Sequence, residues 1–131
     1  MDLLAVLYLG YITGFLRPGG RLGIVVPAVF TEFGSNVPDE IAPFWDWEFC
    51  SFHGPEWWRT HWEKTGKVQV EHAEAIEDGW KDLLRFEEVM ERLLRGAQGA
   101  AARLEAATRS VAMLRVDQGK HLGFSRVVAK R

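Results

Sequence analysis

Apolar positions at the start of the chain recur at helical spacing. Leu4, Leu7, Tyr8, Tyr11 and Phe15 step by three and four, which predicts a helix over 2–16. Leu3, Leu9 and Ile12 lie on its other side, so this helix calls for cover on more than one face. Pro18 ends it, and Gly19-Gly20 supply a turn. Residues 21–27, Arg21-Leu22-Gly23-Ile24-Val25-Val26-Pro27, form a short continuous apolar run. Its length and β-branching predict a strand covered on both faces. Val37-Pro38-Asp39-Glu40-Ile41 offers the start of a short helix. Trp45, Trp47, Phe49 and Phe52 alternate with Asp46, Glu48 and Ser51, a weak extended signal.

Gly54-Pro55 is a break, and residues 55–65 read as a helix with Pro55 in its first turn and Gly66 as its stop. Lys67 to Ala73 alternates polar and apolar and predicts a second strand. Asp78 is a natural cap for the next helix. From Leu83 through Phe86, Met90, Leu93, Ala97, Ala100, Leu104, Ala107 and Val111 to Leu114 the apolar steps run three, four, three, four. Gly96 and Gly99 interrupt this stripe and favour two helices over one long helix spanning 79–118. Such a stripe serves a dimerisation helix or an intramolecular hairpin that covers a sheet. Leu122 to Ala129 reads as a last strand. The order is helix, strand, helix, strand, helices, strand, an α/β pattern with about three strands.

Composition narrows the picture. At 131 residues the chain makes one domain at most, and its hydrophobic share of 47% excludes intrinsic disorder. Net charge is −2, so the chain as a whole carries no nucleic-acid footprint. Its distribution is uneven, with residues 36–80 acidic and residues 81–131 basic. The apolar start is too short for a membrane span, which needs ~20 residues, and it lacks the basic flank of a signal peptide. One cysteine, Cys50, fits a reducing, cytoplasmic setting. Cys50 and His53 form one pair of ligand types, but no second spaced pair exists, so no metal site is expected.

Several segments resemble one family. Leu16 to Pro27, reading Leu-Arg-Pro-Gly-Gly-Arg-Leu-Gly-Ile-Val-Val-Pro, is similar to the stretch that joins the fourth crossover helix to the fifth strand in class I S-adenosylmethionine-dependent methyltransferases. His53 to Gly66, with Trp57-Trp58, Trp62 and Glu63, resembles a segment of a bacterial and archaeal small-molecule subgroup. Glu77-Asp78-Gly79-Trp80 and the closing Gly119 to Lys130 are similar to that subgroup's turn and last strand. The resemblance covers nearly the whole chain. It implies the C-terminal half of a Rossmann-like methyltransferase fold, in which seven strands run in the order 3-2-1-4-5-7-6 and the last is antiparallel. The glycine-rich turn after the first strand and the acidic residue of the second have no match here. Residues 1–131 then form a single partial domain, inactive alone, that takes S-adenosyl-L-methionine only with its missing half. A complementary N-terminal half or a homodimer is the implied partner, because the first strand and helix lose their cover.

Methyl transfer from a sulfonium depends mostly on alignment, with a base needed only for a protonated nucleophile. Glu32 lies just past the first strand, where open α/β sheets bind ligands. His53 and His61 flank Trp57-Trp58. Glu32, His53, Trp57 and His61 are therefore the candidate contacts to a small-molecule substrate. Their plain alternatives are a solvated carboxylate, structural histidines and packed indoles. Trp57, Trp58 and Trp62 also offer an aromatic wall to a cationic sulfonium, although Trp58 and Trp62, four apart, suit a core. The alternative function is a non-catalytic interaction or dimerisation module derived from a methyltransferase.

Overall fold

The computed structural model of the chain describes residues 3–131; the side chains of residues 3–6 and of Glu48 lie outside that description. Four α-helices and a three-stranded sheet make a mixed α/β fold. The elements are α1 (Leu3–Thr13), β1 (Arg21–Val29), α2 (Pro55–Lys64), β2 (Gln69–Ala75), α3 (Gly79–Leu94), α4 (Ala101–Asp117) and β3 (Leu122–Lys130). Two short 3-10 turns, Ala42–Phe44 and Trp47–Ser51, lie between β1 and α2.

β3 occupies the centre of the sheet, in the order β1-β3-β2. It pairs antiparallel with β1, Arg21 opposite Lys130 and Val29 opposite Leu122. It also pairs antiparallel with β2, with an irregularity between Val70 and His72. β1 and β2 thus run the same way without touching. Every neighbouring pair is antiparallel, so the mixed sheet expected from the sequence exists only in the direction of the two outer strands.

Among the described residues no strand pairs with the other edge of β1. Phe30 N donates to the His121 carbonyl and Arg131 N to the Gly20 carbonyl, both at 2.9 Å. Even-numbered residues of β1 therefore face β3, and the odd-numbered ones turn their polar backbone outward. Pro27 falls in the outward set, where its missing N–H leaves no ladder bond unmade.

One face of the sheet packs on α2 and α1. Val70, Val127 and Ala129 meet Trp58, Trp62 and Leu9, with Leu22, Ile24 and Val26 alongside. The opposite face is covered at one end. There Val29 and Leu122 meet Leu83, Met113 and Leu114 of the α3–α4 hairpin, together with Ile41 and Phe49 from the loops. Further along β1, Gly23 and Val25 are exposed, so the apolar run is not covered on both faces as its sequence predicts. The hairpin reaches only the carboxyl end of the strand.

The helices depart from expectation in which face they bury. α1 turns Leu9 inward, whereas Leu7, Tyr8, Tyr11 and Phe15, the predicted stripe, are 60–71% exposed. Met1 and Asp2 lie outside the described residues, as do the side chains of Leu3 and Leu4. The carbonyls that end α1 are held from the far end of the chain: Arg131 Nη1 donates to Thr13 O at 2.8 Å and also to Leu16 O. The 79–118 stretch is two helices, broken where Gly96 and Gly99 take positive φ (79° and 73°). Phe86 and Leu93 of the stripe are exposed, while Ala107, Val111 and Leu114 are buried. The stripe is thus partly an intramolecular hairpin seam. Asp78 does stand at the start of α3, but its side chain caps nothing and lies 3.4 Å from Lys81 Nζ. Residues 45–52 do not run as one extended segment: Trp45, Asp46 and Phe52 keep extended backbone, but Trp47–Ser51 between them coil into the second 3-10 turn, so that Trp45 touches Phe49 and Phe49 touches Phe52.

Candidate functional site

Glu32, His53, Trp57 and His61 come together at the carboxyl end of β1 and the start of α2. Glu32 lies three residues beyond β1 and reaches across to the segment that opens the helix. Its Oε2 lies 3.2 Å from His53 Nδ1, and its Oε1 accepts from Gly54 N at 2.8 Å. One carboxylate therefore fixes a side chain and the adjoining backbone. It also sits at the amino end of a ten-residue helix, where the helix dipole favours a negative charge.

Gly54 makes this approach feasible. A Cβ there would stand 2.9 Å from the Phe30 carbonyl oxygen and 3.1 Å from that of Val29. No side chain fits, so the backbone lies directly on the end of β1. Ser125, fully buried in β3, places its Oγ 3.5 Å from the His53 carbonyl oxygen. Gly54 and Ser125 are the site residues that sequence reasoning missed. Gly54 was legible only as the break before Pro55, and Ser125 only as a polar residue in an apolar strand.

The histidines sandwich Trp57. His53 stacks on one face, centroids 3.5 Å apart and 5° from parallel. His61 stacks on the other at 3.8 Å and 17°. Both faces of Trp57 are occupied, so the cation-binding wall considered from the sequence is closed at this residue. Trp58 and Trp62 are core residues, edge-on to each other at 6.2 Å. Their Nε1 atoms are buried with no partner among the described residues.

Proton positions are set by the partners. An ionised carboxylate only accepts, so His53 carries its proton on Nδ1 and leaves Nε2 as the basic nitrogen. His61 Nδ1 lies 2.9 Å from the Trp57 carbonyl oxygen, which also only accepts. Its Nε2 is likewise the lone-pair nitrogen. Two imidazoles of the same tautomer thus flank one indole. His53 is mostly buried, with 13% of its side chain exposed, and Glu32 is half-exposed at 46%. A cleft of about 240 Å³ opens beside Glu32, walled by Phe33, Trp45, Phe49, Cys50 and Phe52. The arrangement fixes the His53 ring between Glu32 and Trp57, and of the four candidate residues Glu32 alone lines the cleft.

Among the described residues, no group of three or more His, Cys, Asp or Glu is arranged to hold a metal ion. None of the described helices is long and apolar enough to cross a membrane. The residues present also do not make the nucleoside side of an S-adenosylmethionine site. β1 runs into an irregular segment. The β2–α3 turn is Ile76-Glu77-Asp78, in which Asp78 rather than glycine takes the left-handed conformation (φ 57°). That turn carries no glycine cradle for a cofactor backbone to enter. No model of a known protein family matches the chain, and no curated protein gives a significant match to it.

Proposed function

We propose that this chain is the acceptor side of a class I S-adenosylmethionine-dependent methyltransferase acting on a small molecule, inactive until a cofactor-binding half joins it. What carries the reading is the sheet. An antiparallel last strand lies between two outer strands of common direction. That is the arrangement which the family's strand order 5-7-6 implies for its final three strands. The Glu32–His53 pair at the carboxyl end of β1 adds to it, since ligands of open α/β sheets gather at that end.

In this reading Glu32 is a positioning residue. It holds the Nδ1 proton of His53 and the Gly54 backbone, and so aims a basic Nε2. His53 would accept the proton of a hydroxyl nucleophile as it attacks the methyl group, or take the proton of an ammonium group beforehand so that the free amine attacks. The cofactor's own site lies in the complementary half.

A second reading, a non-catalytic interaction module, draws on the open edge of β1 and the exposed outer face of α1. One experiment separates the two. S-adenosylhomocysteine is titrated calorimetrically into this chain alone, then into the chain co-expressed with the segment encoded immediately upstream. We expect no saturable heat at millimolar ligand for the chain alone and micromolar binding by the pair. Micromolar binding by the chain alone overturns the half-site reading. A pair that assembles yet binds no ligand favours the interaction module.

A further inference from the structure

A second cavity lies between the α3–α4 hairpin and the aromatic 3-10 turn and shares the Phe49 and Phe52 walls of the cleft beside Glu32. It measures about 440 Å³, within the ~300–1,000 Å³ range of small-molecule sites. Phe49, Phe52, Phe86 and Met90 are among its walls, and Glu87 is the one carboxylate among the described residues that line it.

Glu87 stands apart from its neighbours on α3. Glu88 pairs with Arg115 at 3.1 Å, and Glu91 pairs with Arg95 at 3.2 Å. No hydrogen bond or ion pair among the described residues reaches Glu87. Arg103 lines the same cavity but is not within ion-pair distance of it. Glu87 is half-buried, and burial alone raises its carboxyl above the ordinary range. Its cavity is mostly apolar, with Arg103 and Ser110 also on the walls, and Glu87 lacks the direct ion pair that Glu88 and Glu91 of its helix possess.

We propose that this cavity binds a small organic amine, its ammonium group against Glu87 and its apolar body against Phe49, Phe52, Phe86 and Met90. The charge selects a cation and the walls select a hydrophobic body. A hydrogen-bonded ammonium–carboxylate pair at this depth is the contact that Glu87 lacks. The proposal does not rest on the methyl-transfer reading, because binding here needs no cofactor.

The test uses two probes of one shape, 2-phenylethylamine and neutral 2-phenylethanol, titrated into the full chain and followed by calorimetry and NMR. The amine is expected to bind at least tenfold more tightly than the alcohol. Glu87→Gln is expected to remove that preference while leaving alcohol binding unchanged. Met90→Trp, which fills the cavity and spares Glu87, is expected to abolish binding of both. Equal affinity for the two probes overturns the proposal, as does an unchanged preference in Glu87→Gln. Unchanged amine binding by a folded Met90→Trp variant places the site elsewhere and overturns it too, and no amine binding at millimolar concentration overturns it outright.

Discussion

On the α2 face of the sheet, Val127 and Ala129 meet two indoles and a column of half-buried β1 side chains. On the α3–α4 face, Val29 and Leu122 meet Met113 and Leu114, which are 1% exposed, and beyond them the hairpin stands over a cavity. The first face holds only a smaller cavity, about 120 Å³ among Leu9, Leu22, Ile24, Val26, Trp58 and Trp62, and ends at α1, whose outer side is bare. The second is densest at one end and hollow further out. The difference teaches where the fold anchors itself and where it leaves room. Stability concentrates at the carboxyl end of β1, beneath the Glu32–His53 site, and the open surfaces lie at the rims.

The sharpest way to break that comparison is to cut the anchor and the rim alike. Leu114→Ala is expected to lower the unfolding free energy by about 2–5 kcal/mol in urea titration. Leu7→Ala, at a side chain 62% exposed, is expected to change it by under ~0.5 kcal/mol. Similar losses at both would show that α1 is as firmly held as α4.

Gly54→Ala comes next, at about 1–3 kcal/mol, because its Cβ meets two backbone carbonyls that have little freedom to move. The NMR signals of His53 and Trp57 are expected to shift with it. Unshifted rings would mean that Glu32 alone sets their position. Asp117→Ala ranks beside it at about 1–3 kcal/mol, measured in the same way. Its buried carboxylate accepts from His121 N and Leu122 N, at 3.0 and 2.9 Å, and ties the end of α4 to the start of β3.

The smallest effects are pH-dependent and opposite in sign. Hydrogen bonds from Lys120, Arg21 and Arg126 hold Glu40, Glu71 and Glu74 below the ordinary carboxylate range. A lowered folded value contributes stability above the unfolded value, lost as pH falls through the folded one. Glu87 runs the other way. Its penalty is absent below the unfolded value, grows as pH rises, and is complete above the raised folded value. Glu87→Gln is therefore expected to raise Tm near neutrality and leave it unchanged in acid. Glu74→Gln is expected to lower it slightly near neutrality only. Parallel behaviour of the two variants would contradict the unpaired state of Glu87.

Much of the element order was legible in the sequence, because local chemistry sets it. Pro18 and Gly19-Gly20 mark the entry to β1; Gly66 and Gly96 take positive φ where α2 and α3 stop, and Gly99 does so just before α4 begins. Which face each element buries was not legible. The α1 stripe and its opposite side are both apolar, so spacing alone could not choose between them. Over residues 45–52 the aromatic spacing serves an extended chain and a 3-10 turn equally well. Glu32, His53, Trp57 and His61 could be picked by residue type and by their place after a strand. Their linkage could not, since it spans 21 residues from Glu32 to His53 and depends on a glycine lying flat on β1. The cavity at Glu87 belongs to two helices and a turn together, and no segment announces it.

The central position of β3 has a consequence for how the chain is made. β1 and β2 pair only with a strand that leaves the ribosome after both of them. At roughly 5–20 residues per second, the interval between completing β1 and completing β3 is on the order of 5–20 s. Throughout it no two strands of this sheet can join, and the edge of β1 that pairs with β3 waits unpaired. Arg131, which ties off α1, arrives later still. A nascent chain of this design spends that whole interval as helices without a sheet, and its cooperative folding waits for the emergence of one strand.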